Sequence, residues 1–178
     1  PENPNAWTVV GTAFGAGPVA PGSRTGHQGT RLVHSQNPDN GNRNKWKGTL
    51  FSPVLTVEKE YLHFLIGGHS KPDVEGAQNC VCVRIWALDG NGERATVLAS
   101  FTGDDAGVNR MSWRRWNAAE VDAIGTRIQI EITDENTGKY IMVDDVYFSN
   151  NPEPHGSWIV PNVGAPVGQY SSKAQWPF

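Results

Sequence analysis

Cysteine is scarce in this chain: the 178 residues hold two, Cys80 and Cys82. The core must therefore form without a framework of staples, and the length permits it, since a domain of this size hides roughly two thirds of its unfolded surface. The two cysteines stand at i and i+2 on one predicted strand and point to the same face. They are too close in sequence for an easy bridge within the strand, so the expectation is two free thiols acting as small buried hydrophobes rather than as metal or redox groups. No apolar run approaches the ~20 residues needed to span a bilayer. A signal peptide is also absent: Pro1-Glu2-Asn3-Pro4-Asn5 is polar and reads as a mature or excised boundary. Positive charge is not in excess. The net charge is −3, and the one basic-aromatic run, Arg110 to Trp116, is too short to argue for a nucleic-acid partner. His27, His34, His63, His69 and His155 show no metal-ligand spacing, and there is neither a Gly-x-Ser-x-Gly elbow nor a phosphate-cradling loop. Long helical patterns and internal repeats are missing as well.

What the chain has is turn residues and tryptophan. It carries 20 Gly and 12 Pro without a period, which signals many turns rather than collagen or disorder. It also carries 7 Trp, some of them core and some available to stack on a ligand or anchor a partner. The most informative stretch is Tyr61 to Ile66 with Gly67-Gly68-His69, followed by Asn79 to Leu88 and the turn Asp89-Gly90. It reads as a buried strand, a glycine-hinged loop, a second strand and a tight turn. Further strands are predicted at Trp7–Val10, Thr30–Ser35, Gly48–Ser52, Val54–Val57, Ala95–Phe101, Met111–Trp116, Thr126–Asp134 and Tyr140–Phe148. Ile128, Ile130 and Ile132 alternate inward, leaving Arg127, Gln129 and Glu131 to face water. A register shift is expected at Asp144-Asp145, as in a bulge. Asn117 to Gly125 has room for one helical turn, with Asn117 as cap and Gly125 as stop.

About nine short strands predict an all-β fold, an antiparallel β-sandwich of jelly-roll type with at most one helical turn. The predicted domain covers residues 1–150. Residues 151–178 form a Pro/Gly-rich linker or an extended tail that wraps the sandwich with Trp158, Tyr170, Trp176 and Phe178. Trp113 and Trp116, three apart on a strand, face opposite sides; Trp116 is expected inward and Trp113 outward. Trp7 and Trp86 are expected in the core, while Trp46 sits in a polar loop and is open to either role.

Several short pieces in a fixed order carry a resemblance. They are Trp7 with Gly11 and Ala13-Phe14-Gly15; Gly48-Thr49-Leu50 with Ser52-Pro53; Phe64-Leu65-Ile66-Gly67-Gly68; Cys80-Val81 with Leu88-Asp89-Gly90; Trp116; and Val143-Asp144-Asp145-Val146. Together they resemble the β-sandwich carbohydrate-binding modules of the levan- or fructan-binding type that are attached to bacterial glycoside hydrolases, and related modules of large secreted proteins. The chain departs from that family at His69, where a third glycine is usual. The resemblance implies a non-catalytic module that targets an attached polysaccharide-degrading enzyme or cell-surface protein to a polysaccharide. It implies a secreted or cell-surface location and neighbouring domains of a parent protein as partners, with no nucleic acid and no membrane span.

Recognition of a sugar in a shallow site needs flat aromatic faces and planar hydrogen-bonding groups, which loops at one end of a sandwich can supply. The candidate ligand-binding residues are His69 and Asp73, Trp46 with Arg43, Arg110 with Trp113, and Asp134 with Tyr140. Asp104-Asp105 and Asp144-Asp145, with Asp134, are candidate oxygen ligands for a structural Ca²⁺. Two other functions are open: a structural or interaction sandwich that packs on a neighbouring domain, and a small hydrolase or lyase. The last would need paired carboxylates at a defined separation across a sugar ring, and no pair in the sequence marks a shared cleft.

Overall fold

A computed structural model describes residues 6–36, 45–70 and 79–154. Ten strands follow one another: β1 (Thr8–Gly11), β2 (Val33–His34), β3 (Gly48–Phe51), β4 (Leu55–Thr56), β5 (Tyr61–Gly68), β6 (Val81–Leu88), β7 (Arg94–Phe101), β8 (Ser112–Asn117), β9 (Arg127–Asp134) and β10 (Ile141–Ser149). They make two antiparallel sheets. The larger has the order β1-β3-β9-β6-β7, with β4 also paired to β9; the smaller has the order β2-β10-β5-β8. The all-β sandwich expected from the sequence is the observed fold.

Alternation along the strands builds the core. Ile128, Ile130 and Ile132 of β9 meet Leu50 of β3 and Val81, Val83 and Ile85 of β6 on one inner face. Leu62, Phe64 and Ile66 of β5, Ile141 and Val143 of β10, and Trp116 of β8 close over them from the other. Each such side chain contributes roughly 1.5–3 kcal/mol on burial. Trp116 points inward, as its spacing from Trp113 requires. The expected slip in β10 is also present: its register with β5 shifts between Asp144 and Tyr147, and Asp145 sits at φ 49°.

A second apolar cluster lies on the outer side of the smaller sheet, where Leu32, Leu65, Met111, Tyr140 and Met142 pack with Val19, Val108 and Trp113. The Gly- and Pro-rich segment before β2 is strapped over it. Val19 pairs with Leu32, and Thr25 exchanges backbone hydrogen bonds with Asn109 and Met111 at 3.0 and 2.9 Å. A segment that reads as loop is thus held down by an apolar patch that its own composition does not reveal.

Several expectations are corrected here. Cys80 and Cys82 are joined in a disulfide rather than free. Asn79, at φ 98°, breaks the regular strand just before them, and the two Cα atoms lie 5.7 Å apart, within the range a bridge spans. Gly67 and Gly68 are not a hinge in a loop; they are the buried last residues of β5. The helical turn expected within Asn117–Gly125 is present as a short 3-10 turn, and a second 3-10 turn occurs elsewhere. Ala119–Val121 has its Ala119 N–H bonded to the Asn117 side chain at 3.2 Å, and Asp105–Gly107 lies between β7 and β8. Trp86 is not a core residue, and Glu131 does not face water; both belong to the outer face described next. Residues 151–154 cross the outer side of the smaller sheet, where Arg115 donates to the Pro152 carbonyl at 2.8 Å. The remainder of the expected wrapping tail, 155–178, lies outside the described residues.

Candidate functional site

Pairing in the larger sheet arranges its outer face in rows. Phe51 of β3, Glu131 of β9, Arg84 of β6 and Ser100 of β7 stand opposite one another, strand by strand. The next row holds Gln129, Trp86 and Val97, and the row on the other side holds Val10, Thr49, Thr133 and Cys82. These side chains share a face because each is one residue away from an inward isoleucine, valine or leucine. The middle of the face is deep and its edges are open. Glu131 is 6% exposed and Thr133 fully buried, whereas Val97 on one edge strand and Val10 on the other are 37% and 53% exposed.

Glu131 organises the floor. One carboxylate oxygen accepts from Arg84 at 2.8 Å; the other accepts from the indole N–H of Trp86 and lies 3.9 Å from a guanidinium nitrogen of Arg94. Arg94 reaches across from β7 and lays its guanidinium 4.1 Å above the Phe51 ring and 5.9 Å from the Trp86 ring. The Gln129 amide donates to the Ser52 carbonyl at 2.9 Å, and the Thr49 and Thr133 hydroxyls are bonded at 2.8 Å. Two aromatic rings, two guanidiniums, a carboxylate and an amide are therefore held in fixed positions on one surface. A buried carboxylate is costly unless it is fully hydrogen-bonded, and here it is. Sequence reading missed this face. The signal was available: Arg84 and Trp86 stand at i and i+2 on one strand and Gln129 and Glu131 at i and i+2 on another, so each pair shares a side.

Some of the residues singled out from the sequence are scattered, and the others gather elsewhere, at the end of the sandwich where β5 and β7 finish. His69 and Tyr140 come together there. Their rings meet edge to face at 4.7 Å, and the Tyr140 N–H donates to His69 Nδ1 at 3.2 Å. Burial and the nearby Lys139 charge hold the His69 pKa below its usual value. Asp105 joins the group by accepting from Lys139 Nζ at 3.1 Å and from the Ser70 N–H at 3.1 Å; these bonds, that from Lys139 first, lower its pKa. Asp104 and Arg110 are exposed in the same loop. Tyr140 itself is 7% exposed and donates its hydroxyl to Asn109 at 2.9 Å, so its ring is packing rather than platform.

Trp46 is half-buried against the main core, and Trp113 is half-buried on the smaller sheet's outer face, edge-on to Tyr147 at 6.0 Å. Asp144 lies on that face too, taking the N–H groups of Gln28 and Asp145 at 2.8 Å each. Burial raises its pKa. The two aspartate pairs thus belong to different surroundings, and among the described residues no three His, Cys, Asp or Glu side chains converge to hold a metal ion. Arg43 and Asp73 lie outside the described residues.

Asp134 is withdrawn between the sheets. It is 1% exposed and accepts from the Ser35 hydroxyl and from the Asn136 N–H. Burial pushes its pKa up to about 6 from 3.8. Below pH 4 the carboxyl is protonated whether the chain is folded or not. Between about pH 4 and 6 the unfolded chain releases the proton while the folded chain keeps it, so stability falls as pH rises. The full cost at neutral pH is about 3 kcal/mol. Asp134→Asn should therefore be more stable than wild type at pH 8 by up to about 3 kcal/mol in urea denaturation, with the advantage shrinking towards zero near pH 4. An equal difference at both pH values would show that burial does not hold the proton on this group.

The fold and face define a two-sheet antiparallel sandwich with a polar, aromatic sheet surface. No family model matches the chain, and no curated protein matches it. Solved structures do. A family 61 carbohydrate-binding module in complex with β-1,4-galactotriose is 18% identical with a TM-score of 0.48, the match covering 82% of this chain and 88% of that one. The K1 cleaved adhesin domain of Lys-gingipain from Porphyromonas gingivalis is 16% identical with a TM-score of 0.47, over 82% and 90%. A family 29 carbohydrate-binding module is 12% identical with a TM-score of 0.42, over 82% and 83%. At these values nothing passes from them to the ligand of this chain, which has to be argued from its own residues.

Proposed function

We propose that this chain is a non-catalytic carbohydrate-binding module that holds a polysaccharide across the outer face of its larger sheet. One observation carries the reading: Trp86 and Phe51 lie beside Glu131, Arg84, Arg94 and Gln129 on one surface. Sugar rings have apolar C–H faces and hydroxyl edges, and such a surface meets both. The Cys80–Cys82 bridge supports a secreted or cell-surface location, where disulfides persist. In a larger protein the module would keep an attached polysaccharide-degrading enzyme close to its substrate by raising the local concentration. A second reading, an interaction domain that packs on a neighbour, is favoured by Trp113, Tyr147 and Tyr61, which are half-buried on the smaller sheet's outer face.

Affinity electrophoresis against levan, galactan, xylan and polygalacturonate tests the proposal. Wild type should be retarded by at least one of them. Trp86→Ala should weaken that retention roughly tenfold, a loss of about 1.4 kcal/mol, with an unchanged far-ultraviolet spectrum. Retention by none of these glycans would sink the reading. Loss in His69→Ala with full retention in Trp86→Ala would move the site to the loop end.

A further inference from the structure

The outer face carries more positive than negative charge, and one of its cations is underused. Arg84, Arg94 and Arg127 stand on this side of the larger sheet, and Glu131 is the carboxylate among them. The chain as a whole has a net charge of −3, so the surplus is local. Arg84 is committed to Glu131 at 2.8 Å with its side chain 11% exposed.

Arg94 is in a different state. Its side chain is 40% exposed, its nearest carboxylate oxygen is 3.9 Å away, and its other contacts are the Phe51 and Trp86 rings. Among the described residues its guanidinium makes no hydrogen bond, although it carries five N–H donors in a planar fork. The contact with Phe51 holds the guanidinium over the ring and leaves its N–H donors unsatisfied. A guanidinium fork beside aromatic rings is complementary to a planar pair of oxygens attached to a ring-shaped body.

We propose that the ligand of this face is an acidic polysaccharide, with Arg94 receiving the carboxylate of a uronic acid residue while Trp86 and Phe51 line the sugar ring. The proposal rests on the carbohydrate-binding reading and specifies its ligand class. The uronate carboxylate takes two parallel N–H bonds from Arg94 and adds an acceptor to a guanidinium that Glu131 serves only at long range. Neutral glycans would leave those donors to water.

Isothermal titration calorimetry and affinity electrophoresis with polygalacturonate and alginate, against galactan and levan as neutral arms and dextran sulfate as a polyanion control, test the proposal. Wild type should bind a polyuronate at least tenfold more tightly than either neutral polymer. That binding should weaken several-fold between 50 and 500 mM NaCl, since screening acts on exposed charge. Arg94→Ala should lose polyuronate binding at least tenfold, and Arg94→Lys should recover only part of it, because an ammonium has the charge without the fork. Thermal melts within a few degrees of wild type would show both variants folded. Binding of galactan or levan with no preference for polyuronate would overturn the inference and leave the carbohydrate-binding reading standing. Equal retention by dextran sulfate, or polyuronate binding unchanged in Arg94→Ala, would also overturn it. Failure to bind any glycan would remove both.

Discussion

Replacing Gly68 by alanine will cost about 3–4 kcal/mol of stability and lower the melting temperature by roughly 10 °C. Two penalties combine. Gly68 holds φ +96°, outside the range L side chains adopt readily, which costs roughly 1–2 kcal/mol. An added Cβ would overlap the Tyr140 carbonyl oxygen and stand 3.0 Å from the Ile141 Cα, backbone atoms at the start of the adjacent strand β10. Neither can retreat without breaking the pairing of Ile141 with Gly68, and overpacking of this kind adds 1–3 kcal/mol. Gly103 approaches from the other side: a Cβ there would lie 2.6 Å from the Gly68 carbonyl carbon. The β7–β8 loop therefore packs directly on the glycine pair, and it brings Asp105 to the Ser70 N–H. Gly90, whose added Cβ would meet open space, is the control, and Gly90→Ala should melt within about 2 °C of wild type. A Gly68→Ala variant that melts as high as that control would disprove the close approach.

The same glycines show how far the sequence could be read. Tyr61 to Ile66 announces a buried strand through its composition alone, and so does the alternation of Ile128, Ile130 and Ile132. Both are local signals, and both strands stand where expected. Gly67-Gly68 looked like a hinge because two glycines in a row are locally a loop signal. Their reason is long-range: Tyr140 and Ile141 occupy the space a side chain at Gly68 would fill, and Met142, Arg110 and Met111 the space a side chain at Gly67 would fill. The strapped segment before β2 was unreadable for the same reason, since Val19 stands alone among Gly and Pro until the outer cluster of Leu32, Leu65, Met111 and Met142 is in view.

The loop-end candidates followed from looking for polar residues in loops, and topology does bring His69, Tyr140, Asp105 and Arg110 to one end. The sheet face was harder to find. Glu131 reads as a solvent-facing residue by alternation, which is right about direction and wrong about burial. Whether an outward carboxylate is wet depends on what the neighbouring strands place beside it, and that is Arg84, Trp86 and Arg94. Trp86 was assigned to the core on residue type, whereas its neighbour Ile85 fills the inward position.

Glu131 is where stability and function separate. Glu131→Leu will cost about 3 kcal/mol, because it leaves the largely buried Arg84 guanidinium without its carboxylate and the Trp86 N–H without its acceptor. The double variant Arg84→Met with Glu131→Leu should recover most of that loss. A buried pair replaced by apolar groups of similar volume is commonly neutral or stabilising, whereas breaking it from one side is not. Urea denaturation of the two singles and the double measures this directly as a coupling free energy. Glycan retention should behave differently: the double variant, though folded, should stay at least tenfold weaker than wild type, since no charged floor remains to orient Arg94 and Trp86. The ion pair would then be an expense to the fold that only binding justifies. A double variant both stable and fully retained on polysaccharide would reduce the pair to a fastening between β6 and β9 and would take the ligand off this face.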